Sequence, residues 1–448
     1  MNNSNTSLCI ALCLLVTACG GLPTATVLNP DALSDDKADL YPEVATDGQG
    51  NWIVSWQRND NRGRPGILSM HSNTDGKNWS LMHGTAGDGS HSPDLVSDGR
   101  GGWRMFLASH YPQGQDTDIV MLYSTPADWV GAVPKGFYTL HYNAAAGRVS
   151  DLVNSDAATD KAQDDAPVTA TDGNRWVVLW QRADPLPQQV TDKWRTAVYA
   201  AASLDDGKTW SAPAPVSTPS VTGTGDARPV PDLAFGRGAW LAVWSDRDPV
   251  KGDYDIYYAF SLDGLTWKPP AALNTNAATD SGDDTGPRVA TDGRGHWRVV
   301  WTSTDSLGPA GLGTDSDLLY ADYTANTIVP ATWSAPQPVD TGAASDTALD
   351  TDDSARIVYH SGKWHVVWDH RGTIYHTVSN ASGWQRPSFA HREGAGGILS
   401  NGKEFAPAIA LAGAFHYLIV WSSNARIPGE VNPATAPDYD IFLVRKAP

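Results

Sequence analysis

The sequence predicts an all-β chain: a seven-bladed β-propeller of four-stranded antiparallel blades, closed by an N-terminal strand completing the last blade. Three observations carry this reading. A phrase recurs seven times, tryptophan concentrates inside it, and the chain ends are complementary fragments of one repeat. An internal period of this kind marks a repeat architecture.

The phrase is an opening Pro, an apolar strand, a Gly-containing turn, then Trp-x-Val-x-Trp. It runs from Pro42 to Trp56 and recurs almost residue for residue from Pro287 to Trp301. Pro93, Pro167, Pro231 and Pro407 open further copies, and one without the Pro runs from Ser354 to Trp368. The second-strand anchors are Trp52, Trp103, Trp176, Trp240, Trp297, Trp364 and Tyr417. Alternation in Trp52-Ile53-Val54-Ser55-Trp56 has period two, which places both indoles on one face of a strand. Asp47-Gly48 and Asp292-Gly293 supply the positive φ that a tight hairpin needs. A third strand follows, as in Asp255 to Phe260 or Asp317 to Ala321, and then a fourth, as in Ala214 to Ser217. Four strands make a blade, with inserted loops stretching the spacing between anchors.

Of the 19 Trp, 12 lie in the second-strand phrase and 6 near the hairpin between third and fourth strands, leaving Trp194 unplaced. A large ring buried between sheets removes about 150–250 Å² from water. That burial has to hold the blades, because Cys9, Cys13 and Cys19 all precede the repeats and leave no disulfide there. The closure follows from the ends. The seventh unit finishes on a third strand at Asp440 to Val444, while Leu28 to Gly48 aligns without a gap on Leu273 to Gly293, a junction between fourth and first strands. Pairing the orphan N-terminal strand with the incomplete last unit protects both edges.

Residues 1–19 read as an export signal and residues 20–448 as one propeller domain. Leu8 to Val16 is apolar and too short to span a bilayer. Val16-Thr17-Ala18-Cys19 resembles the lipobox of bacterial lipoproteins, which implies acylation of Cys19. Gly20 after the cysteine favours an outer-membrane destination. The expected location is therefore a bacterial cell envelope, lipid-anchored or secreted, with the anchor as the membrane contact. A net charge of -18 argues against nucleic acid and anionic surfaces as partners.

Three hairpins share a further motif. Ser203-Leu204-Asp205-Asp206-Gly207-Lys208-Thr209-Trp210 is the fullest copy, Ser261-Leu262-Asp263-Gly264-Leu265-Thr266-Trp267 is shorter, and the third runs from Ser72 to Trp79 through Asp75 and Gly76. They match the Ser-x-Asp-x-Gly-x-Thr-Trp Asp box, or BNR repeat. Its carboxylate accepts turn N–H groups, its Gly turns left-handed and its Trp plugs the gap between strands, so these residues are expected to be structural. By these motifs the chain resembles the sialidase (neuraminidase) superfamily. The resemblance implies a glycan-facing propeller, with sialidase-like exo-glycoside hydrolysis as its activity. Sialidases of this type have six blades, against seven units here. Their Arg-Ile-Pro motif stands near the N-terminus, whereas Arg426-Ile427-Pro428 lies in the last unit. No catalytic residue is assigned by motif.

Propeller topology puts the loops joining strands 4 to 1 and 2 to 3 on one face, where small ligands meet the channel mouth. On that face an arginine recurs after the second strand, at Arg58, Arg182, Arg247, Arg371 and Arg426. An acid recurs three residues before the opening Pro, at Asp39, Asp164, Asp284 and Glu404. Arginine forks suit carboxylates and sugar hydroxyls, and paired carboxylates suit glycoside chemistry. The competing reading is that each Arg bridges an acid of a neighbouring blade and fixes the loop. His110 and Tyr111 break the repeat, and Asp369-His370-Arg371 is a dense cluster, so these join the candidate ligand-binding residues. The Asp-rich stretches Asp350 to Asp353 and Asp280 to Asp284 invite a calcium reading. Neither has EF-hand spacing, so solvated acidic loops and no cofactor or metal are the expectation. The expected partner is carbohydrate or envelope polymer. A non-catalytic scaffold binding protein or polymer is the alternative.

Overall fold

The computed structural model of the chain describes residues 23–446 except 36, 61–62, 87–88, 111–115, 130–135, 138–141, 144–147, 150–151, 187–192, 224–228, 308–311, 313–314, 325–331, 341–350, 381–382, 392–402, 414–415 and 426–437. The export signal and Cys19 lie outside the described residues. Among the described residues no helix is long and apolar enough to cross a membrane.

The chain forms seven antiparallel blades in a ring. Their inner strands are Asp39–Thr46, Ser90–Ser97, Gln163–Thr171, Pro231–Gly236, Asp284–Thr291, Asp352–His360 and Glu404–Ala412. They pack side by side in chain order, and the seventh returns to the first. Each leads outward through a second and a third strand to a short outer one, as in Pro231–Gly236, Ala239–Arg247, Tyr254–Ser261 and Ala271–Ala272. In blade 2 an isolated bridge between Val120 and Leu152 holds the outer position. Trp194, which the repeat leaves unplaced, sits in the extended third strand of blade 3, opposite Pro185 and Thr222.

The core lies between blades. One apolar cluster joins blades 4 and 5 through Leu241, Ile256, Trp297 and Trp301, and another joins blades 7 and 1 through Val420, Leu443, Trp52 and Trp56. All seven second-strand anchors are buried, from Trp103, Trp176 and Trp240 at 0% exposure to Tyr417 at 7%. Burial of such rings contributes on the order of 2–3 kcal/mol each. The hairpins close through local bonds. Ser203 Oγ accepts Gly207 N at 2.8 Å, Asp205 Oδ1 accepts Thr209 N at 2.8 Å, and Asp263 Oδ1 accepts Thr266 N at 2.7 Å. Gly76, Gly207 and Gly264 have φ of 72°, 83° and 77°. In the first hairpin Thr74 Oγ1 accepts Asn78 N at 2.9 Å, and the Asp75 carboxylate turns to Trp52 Nε1 at 3.2 Å and Arg445 Nη2 at 2.6 Å. Asp206 likewise holds Trp176 and, from blade 2, Arg104. Asp75 and Asp206 tie their hairpins to the preceding blade.

Ring closure is a side-chain clamp as well as a strand. Thr26 and Val27 pair antiparallel with Leu443 and Phe442. Asn29, 2% exposed, donates to Asp39 at 2.9 Å and Asp440 at 2.7 Å, and accepts Ile441 N at 3.0 Å. Asn154 repeats the clamp between Asp118 and Asp164, and Asn274 between Asp255 and Asp284. Hydrogen bonds to charged groups contribute about 1.5–3 kcal/mol each.

A second device re-aims the inner strands. Their register shifts at Leu40/Glu43, His91/Asp94, Asp165/Val168, Thr285/Arg288, Asp353/Arg356 and Phe405/Ala408. Inside each shift one residue is left-handed: Tyr41, Ser92, Ala166, Gly286, Ser354 and Ala406, with φ between 49° and 61°. For the five that are not glycine this costs about 1–2 kcal/mol each. Such bulges turn the following side chains and recur beside functional sites.

Asn29→Ala removes all three closing side-chain bonds and leaves two carboxylates short of a donor. It should cost about 2–4 kcal/mol and lower the thermal midpoint by several degrees. An unchanged midpoint would contradict closure through this clamp.

Candidate functional site

One residue of each blade falls at the same register point, after the bulge in six blades and within regular pairing in blade 4. That slot holds Glu43, Asp94, Val168, Asp232, Arg288, Arg356 and Ala408, paired with Ser55, Phe106, Leu179, Val243, Val300, Val367 and Val420. Five of seven are ionisable, and no two neighbouring blades in the half from Arg356 round to Asp94 repeat the same side chain. A cavity of about 430 Å³ opens there, lined by Glu43, Asp232, Arg288 and Arg356 together with Tyr41 and Gln57. It lies on the face of the loops that join strands 4 to 1 and 2 to 3.

Its electrostatics are asymmetric. Arg356 Nη2 reaches Glu43 Oε1 at 3.0 Å, passing the blade 7 slot, where Ala408 is small. Asp232 Oδ2 accepts Val289 N at 2.7 Å. Asp94 Oδ2 and Arg288 Nε are buried without hydrogen-bond partners. Burial, reinforced by the charge of Glu43, holds the Asp94 carboxyl well above the carboxylate range. Burial also raises Asp232, while burial and the neighbouring Arg356 bring Arg288 down to about 10. Three acids face two guanidinium groups, so the cluster is neutral when Asp94 keeps its proton.

The rim differs from side to side. Tyr41, 52% exposed, meets Phe405 edge-on at 6.2 Å, and Phe405 meets Tyr439 at 5.1 Å. Across the mouth His91 Nε2 lies 3.3 Å from Asp165 Oδ1, which also accepts Ser92 Oγ at 2.9 Å. Against the opposing effect of burial, Asp165 raises His91.

The rim arginines are not gathered at this pocket. Arg58 is caged by Asp39 at 2.6 Å, Asp31 at 3.0 Å and Asp35 at 3.1 Å. Arg182 meets Asp156 and Asp160 at 2.8 Å and Asp184 at 3.2 Å, with its guanidinium over the Tyr199 ring. Arg247 donates to its own turn at Gly252 O, 2.7 Å. His370 Nδ1 lies 2.7 Å from Asp352 Oδ1, Asp369 accepts Gly372 N at 2.6 Å, and burial raises Asp369 to about 6. Arg371 is exposed at a turn, with φ of 56°. His110 is exposed, 3.1 Å from Asp116 O and 6.3 Å by ring centroid from His91. Tyr111 and Arg426 lie outside the described residues. Each placed residue serves its own blade junction or turn.

The axial residues were missed by reading for recurrence. The signal was the opposite one: within a phrase otherwise copied closely, the position after the opening Pro varies from Glu to Arg. The acidic stretch expected to be a solvated loop is also corrected. Asp284 is 1% exposed and the Asp280 side chain 3%, because Asn274 and Lys251 draw them into the junction.

No known family model and no curated protein sequence matches this chain. Among solved structures it is similar to a Dyadobacter fermentans protein of unknown function, with 14% identity and a TM-score of 0.50, covering 95% of this chain and 98% of that one. At that identity the likeness is one of fold. A Penicillium chrysogenum α-L-arabinanase complexed with arabinobiose has 15% identity and a TM-score of 0.46, over 79% of this chain and 93% of that one. A Trypanosoma rangeli sialidase has 12% identity and a TM-score of 0.47, over 95% of this chain and 60% of that one.

The caged acids predict a pH dependence. Burial raises Asp164 to about 8, against Arg182 and a Trp180 hydrogen bond that pull it down, and burial raises Asp160 to about 7. For a carboxyl raised on folding, the stabilisation is full below the unfolded value and disappears as pH climbs through the folded one. The thermal midpoint should therefore fall between pH 5 and pH 8.5. Asp164→Asn should make that fall shallower, and a slope of equal steepness in the variant would count against the assignment.

Proposed function

We propose that the protein is an exported propeller of the bacterial cell envelope, anchored through Cys19, that binds a carboxylated glycan in its axial pocket. The observation that carries this is Arg288. It is half-buried at the cavity wall with an orphan Nε, and among the described residues no carboxylate lies within ion-pair distance of it. A guanidinium fork so placed suits a ligand carboxylate. Behind the wall, the raised Asp94 carboxyl opposes an anion less than an ionised acid would. The exposed Tyr41 ring offers an apolar face to a sugar. The volume suits one or two sugar rings, being within the range of small-molecule pockets.

A catalytic version of this reading rests on the acid pair. Burial and the charge of Glu43 raise the Asp94 carboxyl, while Glu43 is paired with Arg356. One protonated and one charge-paired carboxyl beside a bound sugar are the two partners of glycoside hydrolysis. Asp94 would protonate the leaving oxygen and Glu43 would act as base or nucleophile.

The test is a panel of sialylated and uronic-acid glycans incubated with residues 20–448, followed by calorimetry and mass spectrometry. Binding that Arg288→Ala weakens at least tenfold is the expected result, with Arg247→Ala unchanged. Two products whose summed mass exceeds the substrate by one water, lost in Asp94→Asn, establish hydrolysis. Binding without turnover leaves a lectin-like protein. Absence of any binding across the panel overturns the reading in favour of a scaffold for protein or polymer.

A further inference from the structure

The junction between blades 4 and 5 gathers acids from two directions. Asp253 precedes and Asp255 lies in the third strand of blade 4, while Asp280 lies on the connection to blade 5 and Asp284 opens its inner strand. Asp255, Asp280 and Asp284 each offer a carboxylate oxygen, and the three oxygens lie within 4.8 Å of one another. Among them sits the Lys251 ammonium, 3.0 Å from Asp253, 3.1 Å from Asp280 and 3.4 Å from Asp255, and bonded to the Ala277 carbonyl. Three carboxylates and a main-chain carbonyl around one positive charge are the ligand set of a hard divalent cation.

The ammonium does not saturate this set. It has three N–H donors and one positive charge, whereas four carboxyl groups and a carbonyl converge. Asp280 Oδ2 and Asp253 Oδ1 are buried with no hydrogen-bond partner, on side chains 3% and 7% exposed. Orphan carboxylate oxygens at that depth are costly, and an ion taking six to eight oxygens would satisfy them. An entry path is present: a cleft of about 600 Å³ lined by Asn276, Asp280 and Asp305 opens beside the cluster.

Lys251 is also built to leave. Its turn is fixed by Asp248, whose Oδ1 accepts Val250 N and Lys251 N at 2.7 and 2.8 Å. The backbone therefore holds whether or not the side chain swings out. A matching group recurs between blades 7 and 1, where Asp35, Asp438 and Asp440 converge within 4.8 Å. There Asp438-Tyr439-Asp440-Ile441 repeats Asp253-Tyr254-Asp255-Ile256.

We infer that the blade 4–5 junction is a binding site for a divalent cation of calcium's chemistry, held by Asp253, Asp255, Asp280, Asp284 and the Ala277 carbonyl. Lys251 is the tethered cation that yields to the ion. Binding clamps two blades together and so stabilises the ring.

The experiment is calorimetric titration of chelator-stripped full chain with calcium chloride and, separately, magnesium chloride, with thermal melts alongside. Calcium is expected to bind, to raise the melting midpoint, and to outcompete magnesium. Lys251→Gln, which removes the competing ammonium, should tighten binding about tenfold. Asp280→Asn should abolish the site while the clamp through Asn274 keeps the fold. No heat and no melting shift in either the natural chain or Lys251→Gln overturns the inference. Calcium binding that survives both Asp280→Asn and Asp255→Asn also overturns it for this junction.

Discussion

A ring of sheets depends on how its seam is closed. Here one asparagine, Asn29, touches both ends of the circle: the inner strand of blade 1 through Asp39 and the third strand of blade 7 through Asp440. The two-residue strand at Thr26 and Val27 would be a weak closure alone, with few ladder bonds. The buried amide adds charge-assisted bonds on both sides and fixes the register of the outer strand. Asn154 and Asn274 build the same clamp elsewhere in the ring. The seam is thus one copy of a general junction.

That junction concentrates negative charge. Each Asn clamp sits beside carboxylates that burial pushes upward, and each holds one tethered cation among them: Arg58, Arg182 or Lys251. The arrangement explains why so acidic a chain forms a compact ring. It also explains why the recurring rim arginines are engaged in holding blades instead of gripping a ligand. With the rim arginines engaged by junction acids, the guanidinium groups left for an anionic ligand are those on the axis. There Glu43, Asp232, Arg288 and Arg356 line a shared cavity, and the strain of left-handed residues such as Tyr41 and Ser354 is retained at the bulges that precede Glu43 and Arg356.

The architecture was legible because every element repeats. Seven Trp or Tyr anchors, the Asp-Gly turns and the matching ends at Leu28 and Leu273 each report the same unit, and errors in one copy are corrected by the others. Trp194 stayed unplaced because blade 3 carries a hairpin longer than those of the other blades among the described residues. The site was harder for the same reason the fold was easy. Recurrence pointed to Arg58 and Arg182, which serve junctions, while Arg288 and Asp94 occupy a slot whose side chain changes around the ring. Their meeting on an axis depends on ring closure, which brings together residues nearly two hundred positions apart. Burial of Asp280 and Asp284 was invisible as well, since an Asp-rich run reads as solvated until its partners Lys251 and Asn274 are placed around it.

The central claim is that the axis, and Arg288 in particular, is where a carboxylated ligand is held. The most direct measurement is a crystal structure of the chain soaked with glucuronate or N-acetylneuraminate at saturating concentration. The account predicts a ligand carboxylate within hydrogen-bond distance of Arg288, with the sugar ring toward Tyr41. Density at the rim arginines, or an axial mouth unchanged under saturation, would contradict it.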